Sequence, residues 1–238
     1  MLPTSYRTIA EPVVASIEEK RSVFECWLRR VEDEEAARAV VEEARATHWD
    51  ARHHCSAFVL DPVGSTRRSN DDGEPAGTAG TPMLEALTHA GLTDVVAVVT
   101  RWFGGTLLGS GGLVRAYGGA VRAALEQASP LHRVRVREID VRAGHDIAGR
   151  LEHDLRARGV GIAGTSFAQQ VVLRLQVPVE EDTALPDLLA ELTGGAAGVE
   201  LLTGTESEGW LDAPVSRSAG AVHGQSGGPG VQASGSDG

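Results

Sequence analysis

Three carboxylates lie close together in the stretch SNDDGEPAGTAG, which spans residues 69–80. Asp71, Asp72 and Glu74 supply the oxygen ligands that Mg²⁺ and Ca²⁺ prefer, so the stretch is a candidate cation-binding loop. The spacing does not match an EF-hand, which needs acids at wider alternating positions and a late glutamate. Asp, Gly and Pro are also the residues of tight turns, in which Asp accepts from backbone N–H groups and Gly73 takes a positive φ. Turn chemistry accounts for the composition without a metal, and it is the interpretation that we favour.

A second candidate site is the glycine-rich stretch RWFGGTLLGSGGLVR at residues 101–115. It follows an apolar run and opens a helix, where free N–H groups and the helix dipole favour an anion. A phosphate site here would use three glycines that allow close approach to the backbone and two flanking arginines: Gly109, Gly111, Gly112, Arg101 and Arg115. The stretch is neither a P-loop nor a GxGxxG dinucleotide motif. A tight turn of small residues between strand and helix explains the same glycines and is the favoured alternative.

Alternating arginines follow in RVRVR, where Arg133, Arg135 and Arg137 share one face of a strand and the valines the other. Three arginines in such a row can follow a phosphate backbone, which makes them candidate nucleic-acid-binding residues. The alternative is an exposed sheet face that nearby acids such as Glu138 and Asp140 balance. The formal net charge of −11 argues against a protein that coats nucleic acid non-specifically.

The remaining reactive residues form weaker patterns. His53 and Cys55 share a strand face, and with Cys26 they could form a zinc site, but no pair has zinc-finger spacing. A Cys–His nucleophile pair would need a geometry that the sequence does not give, whereas a buried free thiol is the usual state of such a cysteine. We therefore expect no metal ion, no cofactor and no catalytic residue, and whether the chain is an enzyme stays open.

The termini and the cysteine content predict a location. Two cysteines are too few for a disulfide framework, and the N-terminus has neither a basic start nor an apolar secretion signal. No apolar run approaches the roughly 18 residues of a membrane-spanning helix. These features predict a cytoplasmic protein with reduced thiols.

Strands and helices in mixed order must position the candidate residues of the first half of the chain. Residues 22–31 and 53–60 have the pattern of strands, and Asp33 is placed to cap a helix over residues 34–45. Residues 61–76 are loop by composition.

The segments next to the two candidate sites have clear boundary signals. Thr81 and Pro82 predict a helix start with Thr81 as the N-cap, and Gly91 ends that helix. The apolar run at residues 94–100 predicts a strand buried on both faces. The glycine-rich turn then leads into a helix over residues 113–128.

A second unit begins near Pro130. Its pattern is strand, helix, strand, strand, helix, strand, at residues 133–142, 146–158, 160–168, 170–179, 181–193 and 199–204. This βαββαβ order is that of a ferredoxin-like domain. Residues 213–238 are rich in Gly and Ser with almost no large apolar side chains, so we expect a disordered tail there.

Three segments closely resemble the IMPACT family, whose bacterial branch is the YigZ family: DARHHCSAFVL at 50–60, SNDDGEPAGTAGTPMLEAL at 69–87 and VVAVVTRWFGGTLLGSGGLVRAYGGAV at 95–121. The match covers most of residues 5–128, and the unit that follows is similar to the smaller C-terminal domain of bacterial members. The chain departs from the family pattern at His54, where asparagine is usual, and at Trp102, where tyrosine is common.

The resemblance implies an α+β fold in two domains. Residues 1–130 would form a two-layer α/β domain like domain 2 of ribosomal protein S5. Residues 131–212 would form a ferredoxin-like domain similar to domain V of elongation factor G. The residues of the candidate binding surface that match the family pattern are Asp71, Asp72, Glu74, Thr78, Arg101, Gly105, Gly109, Gly111, Gly112 and Arg115.

The resemblance also implies a role in translation. Eukaryotic relatives oppose activation of a stress kinase that phosphorylates an initiation factor, but they carry an extra RWD domain that this sequence does not contain. Nucleic-acid or ribosome binding is the expectation for the bacterial branch, so the leading hypothesis is a non-enzymatic regulator that binds RNA or the ribosome. Two alternatives stay open: a Mg²⁺-dependent nucleotide- or phosphate-binding enzyme that uses residues 69–80 and 101–115, and a protein-interaction module.

Overall fold

The computed structural model describes residues 2–195 and 199–213, which form an α+β fold with two five-stranded sheets and five α-helices. The predicted fold class is therefore confirmed. In the described part of the chain, no helix is both long enough and apolar enough to cross a bilayer. The elements of the first half are β1 (Ser5–Ile9), β2 (Val13–Glu19), β3 (Ser22–Arg30), α1 (Glu34–Thr47), β4 (His53–Leu60), β5 (Thr66–Asn70), α2 (Gly80–Ala90), β6 (Val95–Trp102) and α3 (Ser110–Gln127).

The second half contains the predicted ferredoxin-like unit. Its elements are β7 (Pro130–Ala143), α4 (His145–Ala157), β8 (Gly161–Phe167), β9 (Val171–Pro178), α5 (Leu185–Thr193) and β10 (Glu200–Ala213). The strand order β10-β7-β9-β8, with every neighbouring pair antiparallel, is the order that βαββαβ connectivity produces. Helices α4 and α5 cover one face, where Leu151, Leu155, Leu173, Leu175 and Leu189 form the core.

The first sheet has the order β2-β3-β6-β4-β5, so β6 is its central strand. Residues 95–101 of β6 are all buried, as the apolar run predicts. Helices α2 and α3 pack on one face around Phe24, Met83 and Tyr117. Helix α1 covers the opposite face around Val98, because β6 carries valines on both sides and each face must be shielded from water. The expected two-layer domain thus has a helix on its second face as well.

The predicted start of α1 and the predicted end of α2 are confirmed, because contacts between residues close in sequence determine both. Asp33 caps α1 by accepting from the backbone N–H of Ala36 at 2.7 Å, and Gly91 ends α2 in the left-handed region at φ 63°. The prediction of a loop over residues 61–76 is wrong in part, because β5 lies within it. This strand, TRRSN, has polar, mostly exposed side chains and pairs only with β4 at the sheet edge, so it shows no apolar alternation.

The first strand joins the second sheet and not the first. Strand β1 pairs antiparallel with β7, with Ser5 opposite Val134 and Ile9 opposite Pro130. At the other end of the chain, Ala213 pairs with His132, and residues 214–238 lie outside the described residues. The domain limits near residues 130 and 213 stay predictions.

A polar network joins the two sheets where β1 crosses between them. The hydroxyl of Tyr6 donates to the buried carboxylate of Asp94, and the guanidinium of Arg133 donates to the Tyr6 oxygen at 2.9 Å. Trp210 packs edge-on against Tyr6, with 4.7 Å between ring centroids, and Asp212 forms an ion pair with Arg30 at 2.8 Å. Burial and the hydrogen bond to Asp94 together raise the pKa of Tyr6, so this hydroxyl stays protonated and acts as a donor.

The substitution Tyr6→Phe tests this network. It removes a donor from the Asp94 carboxylate, which remains buried, so we expect the free energy of unfolding to fall by about 1–3 kcal/mol. Urea unfolding followed by circular dichroism measures the change. Arg38→Ala is the control, because it removes only an exposed ion pair of α1 and should shift stability by no more than about 0.5 kcal/mol. Equal stability of Tyr6→Phe and the unsubstituted protein would contradict the role of the network.

Candidate functional site

The three family-like segments converge at one end of the first sheet. The end of β6 lies beside the starts of β3 and β4, because Trp102 is paired with Val23 and Arg101 with His53. The end of β5 meets the start of β4 in the same way. The loops that leave these strand ends therefore lie at a common edge, which we call the sheet end. It contains residues 20–21, 48–52, 71–79 and 103–109.

A buried carboxylate links the acidic loop to the glycine-rich stretch. Oε1 of Glu74 accepts from the guanidinium of Arg101 and from the hydroxyl of Tyr117, each at 2.7 Å. The side chains of Glu74 and Arg101 are only 4% and 9% exposed, and Tyr117 is fully buried. Arg101 also lies between the rings of Phe24 and Phe103, at 5.5 and 5.7 Å from their centroids. Glu74 is thus occupied by protein groups from β6 and α3.

Asp71 caps α2 from outside the helix. Its carboxylate accepts from the backbone N–H groups of Gly77, Ala79 and Gly80 at 2.8–3.0 Å. The prediction that Thr81 is the N-cap is wrong: the helix begins at Gly80, and no side chain at the cap position itself forms a hydrogen bond. The cap comes from a residue nine positions earlier because the turn folds Asp71 back onto the helix start.

Asp72 holds the start of β4. Its two oxygens accept from the backbone N–H of His54 at 2.7 Å and from Arg45 at 2.6 Å. The Asp72 carbonyl accepts from Nδ1 of His53 at 2.8 Å, and Gly73 takes φ 84°. The predicted tight turn is therefore confirmed. Thr78 completes it by donating to the carbonyl of Pro75 at 2.6 Å.

These contacts limit the chemistry available at the acidic loop. All three carboxylates have donors within the protein, and among residues 2–195 and 199–213 no group of three or more His, Cys, Asp or Glu side chains has the geometry of a metal site.

The thiol of Cys55, beside this loop, donates to the carbonyl of Asp71 at 3.0 Å. Burial raises the pKa of the Cys55 thiol to about 12, so it is a protonated core thiol and not a nucleophile.

The glycines of the second stretch form a turn that is anchored on the neighbouring hairpin. The N–H of Gly104 donates to Oγ of Ser22 at 3.1 Å, and a Cβ at Gly104 would lie 2.1 Å from the Arg21 carbonyl. Gly105 and Gly109 take positive φ values of 82° and 70°, which other residues adopt at a cost.

Helix α3 begins at Ser110, three residues before the predicted start. Gly111 and Gly112 therefore lie in its first turn, and a Cβ at Gly112 would lie only 2.8 Å from the side chain of Leu108. Arg115 does not join the Glu74–Arg101 pair. It is exposed on a different groove of about 590 Å³ between α2 and α3, which also includes Pro82 and Arg122.

A different groove lies at the sheet end, and of its lining only Arg101 belongs to the binding surface predicted from the sequence. Its volume is about 650 Å³, and its walls include Asp50, Arg52, His53, Arg101, Phe103 and Leu107. Phe103 is 57% exposed and Leu107 84% exposed, although both lie in a loop whose backbone is anchored. The apolar letters inside a glycine-rich turn, WFGGTLL, are the signal that could have indicated it. We call this cavity the sheet-end groove.

The alternating arginines of β7 all lie near carboxylates of the protein, whereas a row that binds phosphates needs unpaired guanidinium groups. Arg133 faces Asp212 at 3.0 Å, Arg135 lies 4.0 Å from Glu208, and Arg137 pairs with Asp182. The side chains of Arg133 and Arg135 are mostly buried. The structure therefore favours the alternative of a face balanced by acids, and their predicted role in nucleic-acid binding stays a prediction.

The cap by Asp71 makes stability depend on pH. Partial burial disfavours its charge, but hydrogen bonds from the N–H groups of Gly77, Gly80 and Ala79 outweigh burial and lower the pKa of Asp71. A lowered pKa in the folded state contributes stability above the ordinary Asp value of about 4, and this contribution is lost as pH falls below it. Asp71→Asn should lower the free energy of unfolding by about 1–2 kcal/mol at neutral pH and by less in acid.

Urea unfolding at neutral and at acid pH measures both effects of Asp71→Asn. Asp187→Asn is a matched control, since Asp187 is an exposed acid in the first turn of α5. A difference from the unsubstituted protein that does not shrink in acid would count against the cap.

The close approach at Gly104 gives a second test. Gly104→Ala places a methyl group against the Arg21 backbone, which has no rotamer to move, so we expect stability to fall by about 1–3 kcal/mol. Gly149→Ala in α4 meets no atom within 4 Å and should be neutral or slightly stabilising. Thermal melts of both variants check this, and equal melting temperatures would refute the anchoring of the loop.

Comparisons with known proteins agree with these features. The family model of the Impact N-terminal domain matches residues 20–125, and that of a domain of unknown function (DUF1949) matches residues 141–196. The IMPACT family member YvyE of Bacillus subtilis is 37% identical over 196 residues, which is 82% of this chain and 90% of that protein. YigZ of Escherichia coli is 38% identical over 189 residues, which is 79% of this chain and 93% of that protein.

A solved structure supports the same grouping. A crystal structure of a hypothetical protein matches with a TM-score of 0.59 and 38% identity, over 84% of this chain and 98% of its own. On the sequence matches and on this shared fold, the chain belongs to the IMPACT family and is similar to its bacterial YigZ-type members.

Proposed function

We propose that the chain is a non-enzymatic, translation-associated regulator that binds RNA of the translation machinery, and that it does so at the sheet end. The observation that carries this proposal is the sheet-end groove, where the exposed Phe103 and Leu107 lie beside Arg52 and Arg101. An exposed aromatic ring next to Arg52, which forms no ion pair among the described residues, suits RNA, because bases stack on aromatic rings and phosphates attract guanidinium groups, whereas the charge of Arg101 is already balanced by Glu74.

Exposed positive charge is also present at the sheet end. In the described part of the chain, Lys20, Arg21 and Arg52 form no ion pair with a carboxylate, although all three are exposed. Arg21 donates to Oγ1 of Thr106 at 2.9 Å, so the turn between β2 and β3 lies against the loop that presents Phe103. A few exposed cations at one place on a chain of net charge −11 favour one defined contact with RNA over coating of any nucleic acid.

The family resemblance supports the proposed role in translation. The family resemblance implies translational control for eukaryotic relatives. Proteins named as IMPACT homologues from Saccharomyces cerevisiae and Dictyostelium discoideum are 35% identical to this chain over 107 and 98 residues. A role on the translation machinery would place the chain in the cytoplasm, which we propose as its location.

The two alternatives have less support from the contacts. A Mg²⁺-dependent enzyme would need carboxylates that are free to bind a cation, whereas Asp71, Asp72 and Glu74 are bound by donors of the protein. A protein-interaction module has one observation in its favour, the groove between α2 and α3 with the exposed Val114 and Arg115. Pull-down from extract treated with nuclease separates that module from an RNA-binding protein.

Charge reversal at the sheet end tests the proposal. The double variant Lys20→Glu and Arg52→Glu removes two exposed cations, so co-sedimentation with ribosomes should weaken and become less dependent on salt. The slope of log affinity against log salt should drop by about 1 for each phosphate that the protein no longer neutralises. The measurement is a sedimentation series over salt concentration with purified ribosomes.

A matched control carries the same change of net charge. Arg38→Glu and Arg150→Glu alter exposed arginines on α1 and α4, away from the sheet end, and should leave binding unchanged. If both double variants weaken binding equally, the interaction depends on net charge alone and the sheet end is not the surface. If the unsubstituted protein binds neither ribosomes nor RNA, the proposed function is wrong.

A further inference from the structure

The sheet-end groove has the size and the walls of a site for one small polar ligand with a flat ring. Its volume of about 650 Å³ lies within the roughly 300–1,000 Å³ of typical ligand pockets. Phe103 and Leu107 provide apolar surface, while Arg52, His53 and Asp50 provide polar groups at its rim. A ligand that matches this combination has an aromatic ring and a negative charge in one unit, as a nucleotide does.

Phe103 is arranged as a stacking platform. The guanidinium of Arg101 lies 5.7 Å from its ring centroid, while the side chain as a whole is still 57% exposed. Arg101 is itself held by Glu74 and by the ring of Phe24, so the Phe103 ring packs on a guanidinium that is fixed in position. The adjacent Gly104 is held on the β2–β3 hairpin. A ring that is already ordered loses little entropy when a base stacks on it.

The polar groups at the rim suit the rest of a nucleotide. Arg52 is exposed without a carboxylate partner and can pair with a phosphate. His53 donates through Nδ1 to the Asp72 carbonyl, so Nε2 is the ring nitrogen that a sugar hydroxyl or a base can contact. The Asp50 carboxylate accepts from Nε1 of Trp102 at 3.0 Å and is thereby tied to the wall.

We propose that the sheet-end groove binds one unpaired nucleotide of single-stranded RNA, with the base stacked on Phe103 and its phosphate beside Arg52. The inference rests on the proposed function and deepens it by naming the form of RNA that is recognised. A base inside a duplex is stacked between its neighbours and cannot reach a platform in a groove, so double-stranded RNA does not satisfy this site.

The test compares single-stranded oligoadenylate with the duplex of oligoadenylate and oligouridylate, each fluorescently labelled, against the full chain by anisotropy. The single strand should bind more tightly than the duplex. Phe103→Ala should weaken single-strand binding roughly 5- to 150-fold, the range for removal of one stacked base, while Phe103→Trp should retain it. Phe167→Ala is the matched control, since Phe167 is an exposed aromatic residue of β8 at 74% exposure and should have no effect.

The same variants in the ribosome sedimentation assay separate the two proposals. The nucleotide site is overturned if Phe103→Ala binds the single strand as tightly as the unsubstituted protein does, or if duplex and single strand bind equally well. In either case, binding of the unsubstituted protein to ribosomes still supports the proposed function. Absence of binding to ribosomes and to both RNAs overturns both. Circular dichroism checks that Phe103→Ala is folded. Phe103→Trp keeps an aromatic ring, so its single-strand affinity tests stacking without shortening the side chain.

Discussion

The arrangement of the first domain depends on one buried carboxylate with two donors. Glu74 accepts from Arg101 and Tyr117, which come from the central strand and from the helix that follows it. Removing one partner of a buried pair leaves an uncompensated charge, which costs several kcal/mol. The interaction therefore holds the acidic loop, β6 and α3 in one relative position. The same position places the Arg101 guanidinium 5.5 and 5.7 Å from the ring centroids of Phe24 and Phe103.

The partners of the other two acids decide what kind of site this can be. Each of them already satisfies donors that the fold would otherwise leave unpaired: the start of α2 for Asp71 and the start of β4 for Asp72. Carboxylates whose oxygens already accept hydrogen bonds from backbone N–H groups are poor ligands for a metal cation. The side chains that are available to a ligand are Phe103 and Arg52, which lie at the solvent-exposed edge of this buried network.

The second domain is joined to the first by a different kind of contact. Strand β1 leaves the first half of the chain to pair with β7, and Tyr6 carries the polar link to Asp94 and Arg133. The arginines of β7 serve this junction and its surroundings through acids on β10 and beside α5. Each arginine of this regular row lies within 4.0 Å of a carboxylate once the strands are paired.

Sequence signals were sufficient for the elements whose cause is local: the cap at Asp33, the stop at Gly91, the buried β6 and the βαββαβ order. The family-like segments were sufficient for the fold class. These signals missed β5, whose polar edge strand lacks alternation, and the cap of α2, because Asp71 reaches it only through the folded turn. The partners of Glu74, which lie 27 and 43 residues away, became visible only in the folded chain. Such pairing depends on which strand and which helix become neighbours of the loop, and only the packing of the whole chain decides that.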